Sequence, residues 1–227
     1  MELYQIVLNN DEYLQTVKKI EGIKFITDGK WDWEHGLGHY KRVANYVKDI
    51  LIQLNADERT IDLAMAAALL HDIGLSKGDK KDHAIESSKM IDRFLKNMDI
   101  SSEELETLRH AIYDHSKGND INSFIGLALV LADKLDVTYH RTINSSIKDE
   151  MNIEIMKIKN VGIKITEDSL IVNYDTEPNF NVNILKGWSK AITIPEKIAK
   201  YLNKKYIFIV NDKLINHLEQ FNVNDLK

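Results

Sequence analysis

The chain has 227 residues, no cysteine and a formal net charge of −5. That length suits one large domain, or a domain with a small appendage, and the apolar content is ample for a core. Without cysteine there are no disulfides, thiolate metal sites or cysteine nucleophiles, so a metal would be held by His, Asp and Glu. The negative charge argues against broad nucleic-acid coating. The opening residues, Met1-Glu2-Leu3-Tyr4, lack a basic segment followed by an apolar stretch, so no secretory signal is expected. No apolar run reaches the ~18 to 20 residues of a membrane span, and a cytoplasmic location without membrane contact is the expectation.

The pattern divides near Lys148. Before it apolar residues recur at three- and four-residue spacing, and after it they alternate. Both prolines, Pro178 and Pro195, lie in the second part. Residues 2 to 20 and 31 to 54 read as helices; in the second, Leu37, Tyr40, Val43, Ala44, Val47, Ile50, Leu51 and Leu54 form one stripe. Asp57 serves as N-cap for a helix to about Asp72, where Gly74 offers a stop. Asp82 caps the next, whose inner face carries Ala84, Ser88, Ile91, Leu95 and Met98. Ser101 and Glu104 form a capping box for a helix to about His115. Residues 124 to 139 read as the central helix. Residues 152 to 159, 161 to 166 and 169 to 175 read as strands, 189 to 203 as a helix and 206 to 210 as a strand. The expected plan is mostly α: a helical domain over 1–148 and a small mixed α/β subdomain over 149–227.

Chemistry concentrates at His71-Asp72, which closes the apolar run Leu63-Ala64-Met65-Ala66-Ala67-Ala68-Leu69-Leu70. A carboxylate at the end of a buried segment needs a compensating partner, because uncompensated buried charge is costly. Asp133 ends another apolar run, Leu127-Ala128-Leu129-Val130-Leu131-Ala132. With His39 on the stripe of its helix, these residues would make an N/O site suited to Zn, Fe, Mn or Co. His115 falls on the inner line Leu108, Ile112, His115, and His83 opens a helix. These two would complete a second metal site with Asp72 bridging, an arrangement that clamps a phosphoryl group. A single histidine on an apolar face is more often a hydrogen-bonded core residue, and His35, His110, His140 and His217 are left as such. For His71 alone, interaction with the negative end of its helix is a serious rival reading.

The ordered set resembles the HD-domain metal-dependent phosphohydrolases over about residues 31 to 141. His39-Tyr40-Lys41-Arg42-Val43-Ala44 is similar to the first motif of that family. Ala67-Ala68-Leu69-Leu70-His71-Asp72-Ile73-Gly74 is similar to the defining one. Asp82-His83-Ala84-Ile85-Glu86-Ser87-Ser88 and Ala111-Ile112-Tyr113-Asp114-His115-Ser116-Lys117-Gly118 are similar to the third and fourth. Leu131-Ala132-Asp133-Lys134-Leu135-Asp136 is similar to the last. The resemblance implies a helical bundle of HD type with His39, His71, Asp72 and Asp133 on a first divalent metal. His83 and His115 match the extra ligands of the binuclear branch, which includes bacterial diadenosine tetraphosphate hydrolases and cyclic dinucleotide phosphodiesterases. The Gly-Tyr-Pro signature of the latter is absent. His35 stands four residues before His39, and the spacing to Arg42-Val43 favours His39 as ligand.

The implied activity is hydrolysis of a phosphoester or phosphoanhydride of a small molecule, a nucleotide or dinucleoside polyphosphate. It would use one or two ions of Fe, Mn, Zn, Co or Mg, with Asp72 orienting the nucleophile and Lys134 and Arg42 contacting phosphate. The rival readings are a di-iron oxygenase of the same fold and a non-catalytic nucleotide-sensing module. The C-terminal subdomain is a candidate for homodimerisation, partner binding or cover of the bundle.

Overall fold

The computed structural model describes residues 2–23, 26–27, 30–31, 33–96, 98–142 and 150–215. Two compact units divide the chain, Met1–Asp133 and Lys134–Lys227.

The first unit is helical. Helices α1 (Glu2–Leu8) and α2 (Asp11–Glu21) replace the single helix expected there, because the Asn10 side chain accepts from the Tyr13 N–H and starts a new helix. A two-residue hairpin, β1 (Ile26–Thr27) with β2 (Lys30–Trp31), follows. Helix α3 (Leu37–Gln53) starts at the first residue of its apolar stripe rather than at residue 31, since Gly36 is extended. Asn55, at φ 56°, turns the chain out of α3, and the Asp57 carboxylate accepts from the Thr60 N–H to open α4 (Glu58–Leu70).

Helix α4 is the centre of this unit. Every residue from Ile61 to Leu70 is buried, and α3, α1 and α6 (Ser102–Asp114) pack against it. Its alanines at 64, 66, 67 and 68 leave no bulk between helix axes, which lets α3 come close. Buried Asp62 faces the start of α1 and accepts from the N–H groups of Leu3 and Tyr4. A 3-10 turn, Ile73–Lys77, follows α4, and α5 (His83–Leu95) packs on that turn and on α6. Helix α7 runs Phe124–Leu135, with Ser123 Oγ accepting from the Gly126 N–H at its start; it stops four residues short of the expected end.

In the second unit a 3-10 turn, Tyr139–Arg141, precedes α8 (Glu150–Ile155), where a strand over 152–159 was expected. Asn152, Glu154 and Ile155 are buried there, and Glu154 accepts from Lys157 and from the Asn181 N–H. These bonds satisfy a carboxylate that a strand reading would have placed in solvent. A four-stranded sheet follows in the order β3 (Ile158–Ile165), β4 (Ser169–Thr176), β5 (Lys205–Val210), β6 (Lys213–Leu214). Only the β4–β5 pair is parallel, joined through α9 (Lys190–Tyr201), which packs on both strands. Leu170, Val172 and Tyr174 meet Phe208 and Val210 on the buried face. Asn211 and Asp212, both with positive φ, form the two-residue hairpin loop before β6. The architecture is thus mostly helical with a small C-terminal sheet, as the sequence pattern indicates. No helix among the described residues is long and apolar enough to cross a membrane. His217 lies outside the described residues.

The capping box on α6 also fastens α6 to α4. Ser101 Oγ accepts from the Glu104 N–H and Glu104 accepts from the Ser101 N–H, while Arg59 of α4 donates to both Glu104 carboxylate oxygens. The Arg59 hydrogen bond, then the Ser101 N–H, holds the Glu104 carboxyl down to about 2 from its ordinary 4.5. A depressed carboxyl stabilises the fold above its unfolded value and loses that contribution as pH falls through the folded one. Glu104→Gln is therefore expected to lower Tm at pH 7, and the gap to the parent should close as pH falls from 4.5 toward 2. A gap that stays constant across that window in paired thermal melts would overturn this.

Candidate metal centre

The sequence places two histidines at helix ends. His71 follows the last residue of α4, and His115 follows the last residue of α6. The final carbonyls of a helix have no partner within it. Each imidazole supplies one: Nδ1–H of His71 donates to Ala68 O at 2.7 Å, and Nδ1–H of His115 donates to Ile112 O at 2.6 Å. His83 repeats the pattern with Lys80 O at 2.5 Å. In the neutral ring each of these bonds leaves the lone pair on Nε2. Three helical turns therefore end in imidazoles whose bare nitrogens are aimed away from the backbone.

Those nitrogens converge on Asp72, buried at 3% exposure. Its Oδ1 lies 3.2 Å from His83 Nε2 and 3.3 Å from His115 Nε2, and the two nitrogens are 3.2 Å apart. Its Oδ2 lies 3.5 Å from His71 Nε2 and 3.9 Å from His39 Nε2. Asp133 Oδ1 closes this side, 3.4 Å from His39 Nε2 and 3.7 Å from His71 Nε2. His35 joins as well: its Nδ1 is 3.0 Å from Asp72 Oδ2, which fits a donated hydrogen bond.

All six residues singled out in the sequence as ligands thus come together. His35, set aside above as an ordinary structural histidine, arrives at the same carboxylate. The signal for it was the four-residue step to His39, although His35 precedes α3 and does not share its helical face. His110, also set aside, pairs with Asp120 at 3.0 Å, and His140 stacks on Tyr139. Arg42 makes a partly exposed ion pair with Glu34 at 2.7 Å. Lys134 directly follows Asp133 in α7.

The electrostatics of the cluster favour an ionised Asp72. Burial alone would raise its pKa, but His71 and the hydrogen-bonding imidazoles of His115, His35 and His83 hold it well below the carboxylate range. For His71, burial works against the proton, yet the Asp72 and Asp133 carboxylates outweigh it and raise the pKa. His115 goes the other way, pushed down to about 4 by burial first, with His71 and His83 adding. One imidazole is thereby kept neutral beside a carboxylate that stays charged.

This donor set fits a divalent cation. Among the described residues the fully buried Nε2 of His71 has no hydrogen-bond partner, and carboxylate oxygens of Asp72 and Asp133 stand 3.5 and 3.7 Å from it. Lone pairs converging in a dry site repel unless something positive stands between them. Ligand atoms about 2.0 to 2.2 Å from a cation are separated by about 2.9 to 3.5 Å in octahedral or tetrahedral geometry. The Asp72–His83–His115 triangle falls inside that range, and the His39–His71–Asp72–Asp133 group lies at and slightly beyond its upper edge. The negative ends of α4 and α6 add to the preference for positive charge. Three overlapping groups, His35/His39/Asp72, His39/His71/Asp133 and His71/Asp72/His115, each gather their ligand atoms within 4.8 Å.

A helical unit that buries imidazoles and carboxylates around one point provides the donor set of a divalent-cation site. The HD domain family model matches residues 36–149, and the chain belongs to the HD domain family. The family is mostly hydrolases, its proteins bind divalent metals, and membership points to the metal-dependent phosphohydrolase superfamily with phosphate-containing small molecules as substrates. Comparison with curated proteins returned no match.

A cation that binds only the folded chain raises its stability by mass action, about 2.7 kcal/mol at a free concentration of 100 times Kd. Chelator-treated protein is expected to melt below protein loaded with Mn²⁺, and Asp72→Ala should abolish the difference. Coincident melts with and without Mn²⁺ would count against a cation site.

Proposed function

We propose that the protein hydrolyses a phosphoester or phosphoanhydride of a small molecule, a nucleotide or dinucleoside polyphosphate, using a pair of divalent cations. The observation that carries this reading is the division of Asp72: one carboxylate oxygen faces His39, His71 and His35, the other faces His83 and His115. A carboxylate with ligand nitrogens gathered at both oxygens has the form of a bridge between two ions. His39, His71, Asp72 and Asp133 would hold the first and Asp72, His83 and His115 the second. When bound, such a pair acidifies water and offsets charge on a transferring phosphoryl group.

The residues of the chain divide the remaining work. The Nδ1–H bonds to Ala68, Lys80 and Ile112 lock His71, His83 and His115 in the ligating tautomer before substrate arrives. His35 holds Asp72 Oδ2 through its Nδ1–H, which orients the bridge. Asp72 is placed to accept a hydrogen bond from, and so aim, the attacking water. Lys134, next to the ligand Asp133, is the first phosphate contact in this reading, where its ammonium offsets charge on equatorial oxygens. Arg42 serves the same end once its guanidinium exchanges Glu34 for phosphate. The N/O donor set suits Fe, Mn, Zn or Co better than the sulfur-seeking metals, with Mg as a weaker competitor for imidazole.

The test is elemental analysis of the purified chain joined to a phosphate-release screen over nucleotides, dinucleoside polyphosphates and simple phosphoesters. Two bound cations per chain and metal-dependent phosphate release are expected. Asp72→Ala should lower kcat/KM by at least about a thousandfold, equivalent to ~4 kcal/mol of lost transition-state stabilisation. Oxygen uptake without phosphate release, or full activity in Asp72→Ala, would overturn the reading. Lys134→Ala is expected to weaken kcat/KM by about tenfold to a hundredfold, and unchanged kinetics would remove Lys134 from the phosphate site.

A further inference from the structure

Resting on the two-cation reading, we infer that Gly74 and Ser87 are positioning residues for the second cation alone: together they set the distance between His83 and Asp72. The turn that follows Asp72 and the first turns of α5 are in direct contact. At Gly74 a Cβ would lie 2.2 Å from the His83 carbonyl oxygen, 2.5 Å from the Ser87 nitrogen and 2.9 Å from Glu86 Cβ. No other residue has room there, because two of these neighbours are backbone. The absence of one side chain therefore lets the backbone of His83 approach within reach of Asp72.

Ser87 supplies the attachment. It is fully buried, and its Oγ accepts from the Gly74 N–H at 2.8 Å. Ser87 stands four residues after His83 and so lies on the same side of α5. The same two segments are thus tied twice, by Gly74 to Ser87 at 2.8 Å and by Asp72 Oδ1 to His83 Nε2 at 3.2 Å. In the neutral ring the Nδ1–H is donated to the Lys80 carbonyl and the Nε2 lone pair then faces the carboxylate, a repulsive contact without a cation. The first contact holds α5 in place against that repulsion.

The device acts on only one half of the cluster. His39, His71 and Asp133 come from α3, the end of α4 and α7, and none of their positions depends on the Gly74–Ser87 contact. His115 comes from the end of α6 and is anchored by Ile112. Only His83 rides on the segment that Gly74 admits and Ser87 fastens.

The test uses the full-length chain, stripped by chelator and titrated with MnCl₂ by isothermal calorimetry, with far-UV circular dichroism as a check on folding. In Ser87→Ala the weaker binding step should lose about tenfold in affinity while the tighter step changes by less than about twofold. In Gly74→Ala the bound ratio should fall from two to one. His83→Ala should show the same loss of the weaker step, and adding Ser87→Ala to it should change nothing more. Equal weakening of both steps, or an unaltered weaker step in Ser87→Ala, overturns the positioning role and leaves the proposed function standing. A parent chain that binds fewer than two Mn²⁺ overturns both. Because Ser87→Ala adds no atoms to the contact, it keeps the test decisive if Gly74→Ala does not fold.

Discussion

The Asp72 carboxylate is the constraint on which the first unit is organised. It is almost fully buried, ionised, and approached by ring nitrogens of His35, His39, His71, His83 and His115. Three of those rings donate their Nδ1–H to a backbone carbonyl. A cluster so rich in lone pairs is poor at stabilising itself and good at holding a cation. Removing one carboxylate from such a site leaves the rest uncompensated, which is why buried charge clusters respond so strongly to single substitutions.

Small residues make the convergence possible. The run of alanines in α4 lets α3 pack closely enough for His39 to lie beside His71, their ring centroids 5.2 Å apart. Gly74 does the same for α5. Helix ends supply the rest: a ring that satisfies a terminal carbonyl of α4 or α6 is also a ring with its free nitrogen directed beyond the helix. Capping and the presentation of a donor nitrogen are thus one structural act, and the same bond that ends the helix sets the tautomer of the neutral ring. Tyr40 completes the packing, its ring 5.4 Å from His71 and 5.6 Å from His39, so the imidazoles are wedged as well as bonded.

The helical part was legible because its apolar stripes are long and its caps explicit. Asp57 and the Ser101–Glu104 box start helices where the sequence places them. Five of the candidate ligands were legible because each sits on an inner face or closes an apolar run, and His83 because it opens a helix. Short elements were not. Ile153 and Ile155 alternate as in a strand, but the segment is too short for its period to be decisive, and Glu154 is held by the neighbouring Lys157 and the distant Asn181 N–H. The break between α1 and α2 rests on one Asn10 side chain. His35 was weighed only as a rival to His39, because helical spacing was applied to a residue that precedes the helix, whereas both reach Asp72. Gly74 read as a stop signal, and its role in close approach depends on α5, which no local pattern contains.

The two halves of the cluster differ in how they are held. His39 and His71 are fully buried on two helices that pack along their lengths, and Asp133 follows an apolar run of α7. His83 is more exposed and stands at the very start of α5, after a loop with Gly78 in the left-handed region. Helix starts and loops open locally at lower free energy than packed helix interiors. The inner group is therefore preorganised by the same burial that folds the bundle, whereas in the outer group His83 depends on one short contact. In a phosphate-cleaving reading this asymmetry has a use. The inner ion would be resident, and the outer ion, nearer solvent, could arrive or rearrange with substrate while Asp72 keeps one oxygen committed to each.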